Sequence, residues 1–172
     1  MTVKVLVMGV SGCGKSTVAA RIASVLGARL IEGDDFHLPA SQRKMRDGIP
    51  LDDSDRWPWL DQLSALLATE TGSAVLTCSA LKRAYRDRLR AAVPDLRIVY
   101  IEIAPDEARS RVAARTGHLF PPSLVANQFA TLEPPAGESN VLRVPAAQPV
   151  EAQVKAAIDW LGHVMSTASS AT

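Results

Sequence analysis

Gly9-Val10-Ser11-Gly12-Cys13-Gly14-Lys15-Ser16 satisfies the pattern GxxxxGKS, which arises by chance in roughly one chain of this length in a hundred or fewer at ordinary residue usage. A glycine-rich turn that feeds a helix surrounds phosphate oxygens with backbone N–H groups and the positive end of the helix. Gly9, Gly12 and Gly14 are expected to allow the close backbone approach, Lys15 to contact the β and γ phosphates, and the Ser16 hydroxyl to ligate magnesium. Gly9, Val10, Ser11, Gly12, Cys13, Gly14, Lys15, Ser16 and Thr17 together form the expected site for ATP, with Mg2+ as its metal. Cys13 is read as a spacer, because a thiol needs an activating neighbour to act as a nucleophile.

Two further groups of residues extend the chemistry. "GDDFH" and "KMRDGIPLDDSDRWPWL" carry Asp34, Asp35, His37, Lys44, Arg46, Asp52, Asp53, Asp55 and Arg56, a supply of carboxylates to orient a hydroxyl and of cations to hold an anion. Arg111 and Arg115, four apart on one expected helix face, lead into "TGHLFPP", whose glycine and prolines suit a hinged lid that closes arginines over a transferring phosphoryl group. The apolar run "AVLTCSA" ends in Cys78 and Ser79 and lacks the aspartate that GTPases and motor ATPases place on a magnesium-binding strand. A small-molecule kinase is the expected class.

The elements that position these groups follow from hydrophobic periodicity. Residues 3–8 read as a strand ending at Gly9, and "STVAARIASVL" as a helix. "ARLIE" is the next strand, and a helix, a loop and a second helix containing "DRWPWLDQLSALLATE" follow. "SAVLTCSA" and "LRIVYIEI" have the continuous apolar character of strands buried on both faces and are expected to be central. Between and after them lie the helices "LKRAYRDRLRAAV" and "PDEARSRVAARTG", the latter opened by proline and acids and stopped at Gly117. "NVLRV" and "VEAQVKAAIDWLGHVM" complete the alternation. Five strands alternating with helices predict an α/β chain with a parallel sheet flanked by helices and a binding crevice at the carboxyl ends of the strands. Trp57, Trp59 and Trp160 are read as packing residues.

The chain has 172 residues, 47% of them hydrophobic, and a net charge of +1, which is enough for one core and leaves no broad field for nucleic acid or anionic membranes. "VKVLVMGV" is too short to span a bilayer and lacks a cleavage pattern, so a cytoplasmic location is expected. Cys13 and Cys78 lack metal-ligand spacing and are read as reduced thiols. Residues 1–165 are expected to form one domain with a lid at about 116–136, and 166–172 a frayed polar tail.

The blocks "MGVSGCGKSTVA", "GDDFHLPASQRKMRDGIPLDDSDRWPWL", "CSALKRAYRDRLR" and "GHLFPPSLVANQFATLEPP" resemble, in order, the signatures of the gluconokinase family. The resemblance implies the P-loop NTPase fold in its adenylate-kinase-like or shikimate-kinase-like form with a lid, often as a homodimer. It also implies ATP- and magnesium-dependent phosphorylation of the 6-hydroxyl of D-gluconate, a step leading to the pentose phosphate pathway. On this match Asp34 orients the acceptor hydroxyl and takes its proton, with Asp35 left as a turn acid or the alternative base. His37 contacts the sugar acid. Lys44, Arg56, Lys82 and Arg86 are candidates for its carboxylate and hydroxyls, Arg56 and Lys82 being best placed, while His118 flanks the lid. Arg111 and Arg115 would neutralise the transferring group. Gln128 and Glu133 match the family and are read as structural, and "VPAAQP" is the segment expected to hold adenine. The alternatives are a related kinase acting on shikimate or a nucleotide, and a non-catalytic nucleotide-binding regulator.

Overall fold

In the computed structural model, residues 2–115 and 121–169 are described, with side chains to His163 in the last helix. Five strands, β1 (Lys4–Met8), β2 (Arg29–Glu32), β3 (Ala74–Thr77), β4 (Arg97–Glu102) and β5 (Val141–Pro145), form one parallel sheet in the order β2-β3-β1-β4-β5. The two apolar runs expected to be central are the inner strands flanking β1. Among the described residues seven α-helices connect and cover them: α1 (Lys15–Leu26), α2 (Pro39–Arg46), α3 (Asp53–Thr69), α4 (Arg83–Ala92), α5 (Pro105–Ala114), α6 (Val125–Thr131) and α7 (Val150–Ser169).

Side chains alternate across β1 because successive Cβ atoms leave opposite faces of a strand. Val5 and Val7 enter a core with Ile22, Val99, Ile101 and Leu161, whereas Leu6 and Met8 enter a second with Trp59, Leu63, Leu76 and Leu89. Both faces of the sheet are therefore dry, and the loops at the carboxyl ends of β1, β2 and β3 are left to form the crevice. Helix α3 starts on a capping box in which Asp52 accepts from the Asp55 N–H and Asp55 from the Asp52 N–H, satisfying two otherwise unpaired donors.

Two boundaries differ from expectation. Helix α5 ends at Ala114, and Arg115 is its extended C-cap (φ −81°, ψ 131°), so the segment no longer presents Arg111 and Arg115 on one helical face. Helix α7 continues to Ser169, four residues into the segment expected to fray. Among the described residues no helix is long and apolar enough to cross a membrane.

Candidate active site

The phosphate loop lies between β1 and α1. Gly9 has φ +149°, and a Cβ there would stand 2.7 Å from both the Ile101 carbonyl oxygen and Cys13 Sγ, so the strand exit has room only for glycine. Cys13 is buried under the loop in the core, consistent with a packing spacer. Gly14, the N-cap of α1, is left-handed (φ 96°), and Lys15 folds back so that Nζ donates to the carbonyls of Gly9 and Val10 at 2.9 and 3.1 Å. Ser11, Gly12, Gly14, Lys15 and Ser16 line a cavity of about 380 Å³. Val10 is packed in the core and Thr17 is exposed on the first turn of α1.

Opposite Ser16 stands a carboxylate that the sequence reading missed. Ser16 Oγ donates to Glu32 Oε2 at 3.0 Å, and Thr77 Oγ1 donates to the same oxygen at 2.7 Å while accepting from the Gly33 N–H at 3.1 Å. Glu32 and Thr77 are register partners on β2 and β3, so sheet pairing brings the acid to the first turn of α1. The signal in the sequence was an acid at a strand end directly before "GDD", in a chain whose β3 ends without one. Among the described residues no group of three or more His, Cys, Asp or Glu side chains is arranged around a metal position. A hydroxyl and a carboxylate 3.0 Å apart still suit magnesium, which prefers hard oxygen ligands and is otherwise held by water and substrate phosphates.

The acceptor side is built on a 3-10 turn, Gly33–Phe36. Gly33 is pressed against β3: a Cβ there would lie 2.1 Å from the Thr77 carbonyl oxygen. Trp59 Nε1 donates to the Gly33 carbonyl at 2.7 Å, and its ring stacks on His37 with centroids 4.1 Å apart. Trp59 thus packs the core and also walls the cavity. His37 is buried, its Nε2 is 3.5 Å from Asp34 Oδ1, and its buried Nδ1 has no hydrogen-bond partner among the described residues. Asp34 and Asp35 both line the cavity, and the Asp34 side chain is 82% exposed.

Arg56 is the cation that reaches this wall. Its residue is only 7% exposed, and Nη1 donates to the Leu51 carbonyl at 2.7 Å and to the Tyr85 hydroxyl at 3.5 Å. Among the described residues no carboxylate lies within ion-pairing distance of it. The other basic candidates are not brought to the cavity. Lys44 pairs with Asp55 at 2.8 Å, a hydrogen bond that raises the ammonium pKa. Lys82 pairs with Asp53 at 2.9 Å, which raises its pKa likewise, and Asp53 in turn is held below the ordinary carboxylate range, first by the Tyr85 hydroxyl and then by Lys82.

Arg86 corrects the expectation of a substrate contact. It is fully buried, binds Glu138 at 2.5 Å, and donates to the carbonyls of Ala80, Leu81 and Glu133. With no exposed surface and no place in the cavity lining, its guanidinium holds the loop after β3. Burial likewise pushes the nearby Cys78 thiol up to about 12, which leaves it an inert, protonated packing residue.

The two arginines expected to serve a lid separate. Arg115 lines the cavity, whereas Arg111 pairs with Glu107 and donates to the Ala146 carbonyl at 3.1 Å, with Nη1 4.0 Å from where a Cβ on Gly14 would stand. His118 lies outside the described residues. Glu133 Oε2 accepts from the Arg83 N–H at 2.7 Å and caps α4, in keeping with a structural role, while Gln128 lines the cavity and accepts from the Ser11 N–H at 2.6 Å.

Comparison with known proteins identifies the family. Residues 5–135 match the family model described as AAA domain. The gluconokinase of Gluconobacter oxydans (strain 621H) is 47% identical over 143 residues, covering 81% of this chain and 80% of that one. The thermoresistant gluconokinase of Escherichia coli (strain K12) is 43% identical over 158 residues, 90% of each chain. The crystal structure of a gluconokinase from Sinorhizobium meliloti 1021 superimposes with a TM-score of 0.90 at 42% identity, covering 99% of this chain and 97% of that chain. An APS kinase from Mycobacterium tuberculosis, at 19% identity and a TM-score of 0.67 over 94% of this chain and 98% of that one, shares the fold. With a phosphate loop between β1 and α1 and relatives of this similarity over most of its length, the chain belongs to the gluconokinase family of P-loop kinases.

Proposed function

We propose that the chain transfers the γ-phosphoryl group of ATP to the 6-hydroxyl of D-gluconate, giving 6-phospho-D-gluconate and ADP. The observation that carries this reading is that Lys15 and Ser16 on one wall, and Asp34 and Arg56 on the other, line a single cavity. Donor and acceptor groups thus converge on one space, of a size typical for small-molecule sites.

A primary alcohol is a weak nucleophile at neutral pH and must be aligned with the phosphorus as its proton departs. In this reading the Asp34 carboxylate accepts the hydroxyl hydrogen bond. As the acceptor oxygen bonds to the γ-phosphorus, the bond to the bridging oxygen breaks, ADP leaves with that electron pair, and the hydroxyl proton passes to Asp34. Lys15 and Arg115 neutralise charge on the phosphoryl oxygens. Magnesium, held by Ser16 with Glu32 behind it, supplies further charge neutralisation when bound. Arg56, a buried guanidinium with no carboxylate in ion-pairing distance among the described residues, supplies the counter-charge for the gluconate carboxylate. His37, stacked on Trp59, limits where Asp34 can turn. The family resemblance alone supports a homodimer in the cytoplasm, acting at the entry to the pentose phosphate pathway.

A coupled ADP-release assay over gluconate, shikimate and nucleoside monophosphates tests the assignment. Turnover with gluconate that is lost in Asp34→Ala, with ATP affinity retained, is the expected result. Absence of gluconate turnover by the intact protein overturns it.

A further inference from the structure

The contact between Gln128 and Ser11 joins α6 to the phosphate loop across 117 residues of sequence. Only the carboxamide oxygen can meet a backbone N–H, so the orientation of the side chain is set and its N–H2 group remains to donate. Among the described residues that nitrogen has no protein hydrogen-bond partner, and the half-buried side chain lines the cavity. Lys15 Nζ rests on the carbonyls of Gly9 and Val10, the two residues before Ser11. The ammonium that serves the β and γ phosphates meets the trans Val10–Ser11 peptide at its carbonyl, Gln128 meets the same peptide at its N–H, and both side chains line the one cavity. Asp34 faces the same space.

We propose that Gln128 is a ligand of the γ-phosphoryl group. Its oxygen is fixed by the Ser11 N–H, and its N–H2 group donates to an oxygen of the terminal phosphoryl group of the bound triphosphate. The contact places a preorganised donor where charge shifts during transfer, and it distinguishes a triphosphate from a diphosphate. This rests on the reading of the cavity as the phosphoryl-transfer site.

Gln128→Glu separates tethering from ligation, since a carboxylate still accepts from Ser11 but cannot donate and repels phosphate oxygens. The expected result is a kcat lowered by about 100-fold or more. Calorimetric titration should show affinity for the non-hydrolysable analogue AMP-PNP lowered by about tenfold or more, with ADP affinity within about twofold of the parent protein, since a lost hydrogen bond to a charged group is worth roughly a factor of ten or more. Gln128→Met, which fills the volume without hydrogen bonds, gives the same selective loss and serves if the charged variant does not fold. Equal loss of AMP-PNP and ADP affinity, or no loss with parental kcat, overturns the proposal. A parent protein inactive on gluconate overturns the acceptor assignment instead, while the ratio of AMP-PNP to ADP affinity still reads the role of Gln128.

Discussion

Ser16 and Glu32, sixteen residues apart in sequence, meet at 3.0 Å where the first turn of α1 passes the end of β2. Thr77 fixes the carboxylate from the neighbouring strand. On the proposed reading Glu32 would orient the Ser16 hydroxyl that would hold magnesium. Glu32→Gln should raise the magnesium concentration for half-maximal activity by about 10- to 100-fold, the usual effect of removing an outer partner of a metal ligand. A magnesium titration of the initial rate checks this, with ADP binding in the absence of magnesium expected to stay unchanged.

Arg56 should set the preference for a sugar acid over its neutral counterpart. A hydrogen bond to a charged group contributes about 1.5–3 kcal/mol, so Arg56→Ala should lower kcat/KM for gluconate by roughly 10- to 100-fold. Activity on the uncharged alditol glucitol should fall far less. Equal losses for the two acceptors would remove Arg56 from the carboxylate site.

The Arg86–Glu138 pair should make stability fall in acid. Burial alone would raise the Glu138 pKa, but hydrogen bonds from Arg86 and Arg90 outweigh that and hold it below the ordinary range. A carboxyl depressed in the folded state stabilises above its unfolded pKa, about 4.3, and that contribution is lost as pH falls through the folded value. Glu138→Gln should cost about 3–5 kcal/mol at pH 7, because Arg86 is left buried and unpaired. The variant should also show a flatter decline of Tm than the parent as pH falls below about 4.3, where the unfolded chain takes up the proton before the native carboxylate does. Thermal melts across that range supply the measurement.

Trp59 ties packing to chemistry, since its indole N–H holds the Gly33 carbonyl while its ring supports His37. Trp59→Phe keeps an aromatic face and loses the donor, so it should cost about 1–3 kcal/mol from the unpaired carbonyl and raise KM for gluconate more than KM for ATP. Trp59→Ala should cost about 3–5 kcal/mol. Urea unfolding and steady-state kinetics distinguish the two effects.

The phosphate loop was legible in the sequence because it is local chemistry: eight consecutive residues, a strand before and a helix after, with the binding done largely by backbone. The sheet was legible for a related reason, since apolar runs of strand length alternating with helical periods admit few parallel arrangements. Periodicity reports which face of an element is buried, but it does not name the residue that will stand opposite. Glu32 reached Ser16 through the register of β2 on β3. Arg86 found Glu138 52 residues away and left the candidate substrate contacts. Arg115 turned into the cavity because α5 stopped one residue before it, and Gln128 reached Ser11 over the longest separation of all. The sequence by itself determined the nucleotide loop, the parallel α/β architecture and the acids at the end of β2. Tertiary structure alone decided which charged side chains are neutralised by the protein and which face the cavity, because a charge taken from water keeps the partner that long-range packing places beside it.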